Sequence, residues 1–325
     1  MTFTENMLKQ FAAPLSATEE VMCKNAIAMV RDALKKLGFT DDGKEIKALY
    51  DNTSSYSIEM RNPTASRKIK IFVQGSYANN TNVRTQSDVD IAVVQEEIFR
   101  TRYRENTYLP QCDADYGFVT VPRPAKSFKD EVQACLIEAF GEDVERKNKS
   151  IKVHGNTYRK DADTVPSFRL RDYTNDYEKN PENYVGGIAI VPDDGSGTII
   201  NYPEQHILNG KRKNEATHFY YKKMVRILKK MRYLMKDDYY SSADRVSSFA
   251  LESLLWNLPD DLYIENGIYR MVFAFDHLIE YVRRHYQELS GFKEANGIKD
   301  LFKNESEQND MKSFFEDLRE YYSFT

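Results

Sequence analysis

Only three cysteines occur in the 325 residues, Cys23, Cys112 and Cys135, an odd number at no metal-ligand spacing. That argues against a disulfide framework and points to a reducing cytoplasm. No stretch approaches the ~20 apolar residues that span a bilayer, so no membrane insertion is expected. The N-terminal run MTFTENMLKQF lacks the charged-then-apolar pattern of a signal peptide. Charge of one sign is also scarce: 46 basic against 50 acidic side chains leave a net charge of −4. The protein as a whole is therefore not built to coat nucleic acid, although a local basic groove is compatible with that balance. Internal repeats and low-complexity segments are absent.

What remains is a chain long enough for two domains. Ser16 with Glu19 reads as a capping box, opening a helix that runs to Leu37 and is ended by Gly38. After a polar stretch, Lys68 to Val73 alternates and then turns apolar, as a strand does. Gly75 and Ser76 follow at once, then a polar, loop-like segment from Tyr77 to Gln86. Asp88 to Val94 reads as a second strand, and Asp130 to Phe140 as a helix ended near Gly141. Ile151 to Val153 and Thr157 to Leu170 look like strands joined through His154-Gly155-Asn156. Ile188 to Val191 and Thr198 to Asn201 form another hairpin across Asp193 to Gly197, a turn without the ligand pattern of a calcium loop. Beyond Pro203 the pattern is helical. The expected division is a mixed α/β part over 1–203 and a helical lobe over 204–325.

The chemistry centres on Asp88-Val89-Asp90. Alternate residues of a strand share a face, so both carboxylates point the same way. Their repulsion is relieved by a divalent cation with a preference for oxygen ligands. Upstream, Gly75 lets backbone approach a phosphate and Ser76 offers a hydroxyl and an N–H. A third acid is sought on a later strand. Asp161 and Asp163 would share a face there, and geometry alone does not choose between them.

Gly75-Ser76 followed by Ser87-Asp88-Val89-Asp90-Ile91-Ala92-Val93 resembles the signature of the DNA polymerase β-like nucleotidyltransferases. The resemblance implies an α+β fold: a bilobed core of mixed sheet and helices, with a C-terminal helical lobe that completes the nucleotide cleft. It selects Asp163, from Asp163-Thr164-Val165-Pro166, as third ligand and general base, with Asp161 behind it. Asp88, Asp90 and Asp163 would then hold two Mg²⁺ ions, Mn²⁺ being able to substitute, while Gly75 and Ser76 bind the triphosphate.

The helical half is similar to the bacterial CD-NTases, relatives of the animal cGAS enzymes, and within them to clade E. The motifs that carry this are Asn201-Tyr202-Pro203-Glu204-Gln205-His206, Asn209-Gly210, Lys222 to Lys229, and Val246 to Glu252. The resemblance implies synthesis of a cyclic dinucleotide from ATP and a second NTP, UTP favoured, giving cyclic UMP–AMP. The diffusible product would activate a neighbouring effector in anti-phage (CBASS) signalling, with no obligate nucleic acid. It assigns the donor triphosphate to Lys229 and Ser248, with Ser247 competing for the second role and Glu252 structural. Asn201 would read a pyrimidine edge through its amide donor and acceptor, and its other reading is a helix cap before Pro203. His206 is read as packed or capping. Alternatives are a tRNA, poly(A) or antibiotic-modifying nucleotidyltransferase, or a nucleotide-binding module without catalysis.

Overall fold

The computed structural model describes residues 1–51, 53–83, 88–105, 108, 111–122, 126–264 and 270–324. The end of the segment expected to be a loop, together with Ser87 of the acidic motif, lies outside these. In chain order the elements begin β1 (Thr2–Phe3), α1 (Glu5–Phe11), α2 (Ala17–Leu34), β2 (Lys47–Ala48), β3 (Tyr56–Asn62), β4 (Arg67–Gln74), α3 (Gly75–Ala78) and β5 (Val89–Arg102). They continue α4 (Phe128–Phe140), β6 (Val144–Arg146), β7 (Ile151–Val153), β8 (Ala162–Asp172), β9 (Val185–Ile190), β10 (Ile199–Asn201) and α5 (Pro203–Ala216). The last are α6 (Tyr221–Asp237), α7 (Ser241–Arg245), α8 (Ser248–Asn257), α9 (Met271–Arg284), α10 (Glu305–Tyr321) and β11 (Ser323–Phe324).

The chain forms two compact units. One comprises 16–78 and 88–204, the other 1–15, 79–87 and 205–325. Two N-terminal pieces, 1–15 and 79–87, thus belong with the helices rather than with the sheet.

The first unit is built on a nine-stranded sheet whose main path runs β10-β9-β8-β5-β4-β3-β2, with β6 and β7 continuing from β8. β5 and β8 are parallel, and their neighbours β4, β7 and β9 are antiparallel to them. α2 starts as expected: Ser16 accepts from the Glu19 N–H while Glu19 reaches back to the Ser16 N–H. Its last turn tightens to a 3₁₀ helix, and Gly38 closes it at φ +81°. A capping box at Ser127 and Asp130 opens α4. Three details depart from the sequence reading. Tyr56–Asn62, within the stretch read as polar, is strand β3, and its alternating burial pairs it with β4. β5 extends eight residues past Val94 to Arg102. β8 starts at Ala162 rather than Thr157, because Asn156 accepts from the Tyr158 and Arg159 N–H groups and turns the chain locally before the ladder begins.

The second unit packs α1 and α6 to α10 around a core in which Met224, Leu228, Met231, Leu251, Phe275, Phe314 and Phe315 are fully or almost fully buried. β1 and β11 pair in parallel, joining the two chain ends. The N-terminal pieces are tied in by polar bonds. Arg226 Nε donates to the Ala12 carbonyl at 2.7 Å, and its Nη1 donates to that of Asn80. Glu252, buried on α8, accepts from Lys229 Nζ at 2.5 Å and from the Thr81 hydroxyl at 2.6 Å, and pairs with His206 Nε2 at 2.9 Å. Burial raises the pKa of this carboxyl, but Lys229 and His206 outweigh it and hold the group well below the usual range.

A carboxylate so depressed stabilises the fold above the ordinary glutamate range, and that stability is lost as pH falls towards its folded value. Glu252→Gln should cost about 3–5 kcal/mol at pH 7, because it strands the buried Lys229 charge. Urea unfolding would show this, and the mutant should lose less of its remaining stability between pH 5 and pH 3 than wild type does.

Candidate active site

The parallel pairing of β5 with β8 places Asp90 directly opposite Asp163. On the other side of Asp90 the register partner is Gln74, the last residue of β4. On the other side of Asp163 it is Lys152 of β7. Gln74, Asp90, Asp163 and Lys152 therefore form one transverse row on one face, at a spacing of about 4.8 Å per strand. Asp88 lies two residues before Asp90, just ahead of β5.

Asp90 is recessed at this sheet end. Burial first, then Asp163, then Asp88, push its carboxyl from 3.8 up to about 7. Burial and Asp88 also raise Asp163, partly countered by the Ser150 hydroxyl, which donates to it at 3.3 Å. Among the described residues no basic side chain pairs with Asp90. Gly75 explains how the carboxylate fits. It ends β4 at φ +69°, and a Cβ there would stand 2.2 Å from Asp90 Oδ2. Any side chain at position 75 would displace the acid. Ser76 follows in the short α3.

The Lys152 ammonium lies 2.8 Å from Asp88 Oδ2 and 2.9 Å from Asp161 Oδ2. Asp161 precedes β8, and its second oxygen accepts the Gly155 N–H at 2.6 Å. Burial raises the pKa of Asp161, yet Lys152 and that N–H bring it below the ordinary value. Asp161 is thus already satisfied, whereas Asp163 faces Asp90. The oxygen-only donors Asp88, Asp90 and Asp163 suit a hard divalent ion, and the repulsion felt by Asp90 is what such an ion relieves. As they stand, no three acidic, His or Cys groups among the described residues converge closely enough to hold one. Asp88 is turned to Lys152.

The same face continues away from the acids through Phe72, Ala92, Val94, Val165, Ile188 and Ile190. Arg169 pairs with Ile188, and Ile188 with Asn201, so Asn201 shares this face. Its row lies six β8 residues beyond the acid row, roughly 20 Å at ~3.3 Å per residue. Here a cavity of about 710 Å³ is lined by Lys70, Glu96, Arg169, Tyr184, Gly186 and Glu204, among others. Arg169 bridges Glu96 at 2.5 Å and Glu204 at 2.7 Å, and Lys70 reaches Glu204 at 2.5 Å. Pro203 and Glu204 begin α5, so Asn201 also stands just before a helix.

In the helical unit, Lys229, expected to hold a triphosphate, is engaged with Glu252 and Thr81. Ser247 accepts the Ala250 N–H at 3.0 Å as the cap of α8. The Ser248 hydroxyl receives Arg232 Nη1 at 3.4 Å. Lys222, which shares a face of α6 with Arg226 and Lys229 by its i, i+4, i+7 spacing, is buried, and its ammonium has no hydrogen-bond or ion-pair partner among the described residues. Burial lowers its pKa to about 8. His206 is packed against Phe249 and bonded to Glu252, a structural position.

Lys152 and the Lys70–Glu204–Arg169 network escaped the sequence reading, whereas Lys222 stands in the motif from Lys222 to Lys229. Lys152 alternates with two buried residues in Ile151–Val153, which marks its face, but its partners required the register of β7 on β8.

A mixed sheet with paired acids opposite a third, beside a positive-φ glycine at the adjoining strand end, is the layout of a polymerase β-like nucleotidyltransferase. A nucleotidyltransferase-domain model matches residues 58–182, and a model of the cGAS/DncV-like nucleotidyltransferase C-terminal helical domain matches 208–323. The cyclic GMP-AMP synthase CdnE03 of Staphylococcus schleiferi is 44% identical over the whole of this chain and 98% of that protein. The cyclic UMP-AMP synthase of Rhodothermus marinus is 32% identical over 74% of this chain and 79% of its own length. The solved Rhodothermus marinus CdnE c-UMP-AMP synthase with Apcpp and Upnpp superposes with a TM-score of 0.75 at 25% identity, covering 98% of this chain and 95% of that one. The chain belongs to the CD-NTases, the cGAS/DncV-like nucleotidyltransferases, in the clade of the CdnE enzymes. Nucleotidyltransferases of this kind use divalent metal. Among the described residues no helix is long and apolar enough to cross a membrane.

A carboxyl whose folded pKa is raised makes the folded state bind the extra proton, so it costs stability as pH climbs from about 4 to about 7. Asp90→Asn should therefore stabilise the metal-free protein at pH 8, by about 2–4 kcal/mol, and change little at pH 4. Chemical denaturation in EDTA at the two pH values measures this.

Proposed function

We propose that the enzyme joins ATP and UTP into cyclic UMP–AMP, using two Mg²⁺ ions held by Asp88, Asp90 and Asp163. The observation that carries this is the register of Asp90 on Asp163, in a chain related to cyclic dinucleotide synthases along its whole length. Bound at these acids, the ions would lower the pKa of the attacking hydroxyl and offset the charge of the leaving pyrophosphate. Asp163, with its raised pKa, takes the proton of that hydroxyl. Gly75 leaves room for phosphate to approach the strand end, and the Ser76 hydroxyl hydrogen-bonds it. In the helical unit Ser248 and Lys222, whose ammonium has no partner among the described residues, are the groups offered to phosphate, while Lys229 holds the framework through Glu252. Asn201 reads the uracil edge at the cavity end of the sheet face. The diffusible product then acts on an effector.

A second reading, GTP in place of UTP, is favoured by the 44% identity to an enzyme named as a cyclic GMP-AMP synthase. Uracil and guanine both present an N–H beside a C=O, and one carboxamide orientation serves both. Incubation with ATP, UTP, GTP and CTP, followed by phosphatase and mass spectrometry, separates them. A product with the mass of cyclic UMP–AMP, formed without added acceptor, is expected. A strict need for tRNA or a drug acceptor would overturn the proposal. Asp88→Ala with Asp90→Ala should lower turnover at least 10³-fold. Asn201→Ser should lower incorporation of uridine relative to adenosine by about tenfold, the weight of one hydrogen bond.

A further inference from the structure

Lys152 has a place that its ion pairs alone do not explain. Its register partner is Asp163, yet its ammonium lies between Asp88 and Asp161, at 2.8 and 2.9 Å. The two acids differ in how firmly they are held. Asp161 is anchored by the Gly155 N–H at 2.6 Å, and Gly155 sits so close that a Cβ would stand 2.6 Å from the Asp161 nitrogen. For Asp88, no partner other than Lys152 is found among the described residues, and its side chain is 39% exposed. A fixed acid thus holds a lysine on the one acid of the proposed metal set that is ion-paired among the described residues. An ion binding Asp88 must first displace the ammonium, which keeps its bond to Asp161 and is never stranded.

Resting on the metal-site reading above, we propose that Lys152 is a resident counter-cation. It occupies Asp88 in the metal-free enzyme, lowers the affinity of the free enzyme for bare divalent ions, and so biases the ions to enter with the triphosphate. Asp161 is its anchor and not a metal ligand. Asp90 and Asp163, which have no such clamp, supply the attraction that an arriving ion must combine with displacement of the lysine.

The test is Mn²⁺ binding to the whole, nucleotide-free protein, followed by electron paramagnetic resonance of the free ion. Lys152→Met should tighten binding by about tenfold, from removal of one nearby positive charge. Lys152→Arg should stay within about twofold of wild type. Asp161→Asn should weaken binding several-fold in wild type, since the lysine then pairs with Asp88 alone, and should change little on top of Lys152→Met. Unchanged or weaker binding in both Lys152→Met and Lys152→Gln would overturn the proposal, as would equal weakening by Asp161→Asn with and without the lysine. The underlying site has its own control: if Asp88→Asn and Asp90→Asn leave wild-type Mn²⁺ binding untouched, the metal-site reading fails instead.

Discussion

The pairing of β5 with β8 forces two carboxylates, Asp90 and Asp163, into adjacent positions at a recessed sheet end. Most of the chemistry depends on this. Backbone hydrogen bonds along two long parallel strands impose the proximity, and the carboxylates cannot relieve it by moving apart. With burial as the larger cause, the proximity carries a cost, seen in an Asp90 carboxyl raised to about 7. It is a cost only while nothing positive lies between the acids. A site that is unfavourable empty and favourable with a divalent ion converts folding energy into metal affinity. Gly75 belongs to the same constraint, since any larger residue would meet Asp90 Oδ2.

Around that end, the structure balances charge in two ways. Near the acids a single lysine is shared between Asp88 and Asp161. At the other end of the face, Lys70, Arg169, Glu96 and Glu204 form a mutually satisfied network that leaves a cavity open. The helical unit uses a third arrangement: Glu252 is enclosed by Lys229, Thr81 and His206, which ties a piece of chain from between β4 and β5 into the helices. Buried pairs of this kind are valuable less for net stability than for the penalty of breaking them.

Much of this was legible in the sequence. The capping boxes and glycine stops depend on bonds within four residues, so Ser16-Glu19 and Gly38 announce themselves locally. The alternation of Asp88-Val89-Asp90 shows that its carboxylates share a face, and Gly75-Ser76 upstream marks the strand end. Strand β3 was missed, because its polar exposed positions masked its period of two. The start of β8 was misplaced because Asn156 bonds its own neighbours before the strand can pair.

Local pattern by itself determined that Asp88 and Asp90 stand two apart at the start of an apolar strand, behind Gly75-Ser76, because residue type and short-range periodicity are written in the chain. The choice between Asp161 and Asp163 was different in kind: both share a strand face by count, and only the register of β8 on β5, with the Gly155 N–H on Asp161, separates their surroundings. The fate of the α6 cations was decided in the same way. Lys222, Arg226 and Lys229 are equivalent by helical spacing, yet Glu252 claims Lys229, two carbonyls claim Arg226, and Lys222 keeps its charge without a partner among the described residues. Spacing along a helix or strand says which side chains point together. What they meet depends on elements that can be more than a hundred residues away, and folding alone brings those into reach.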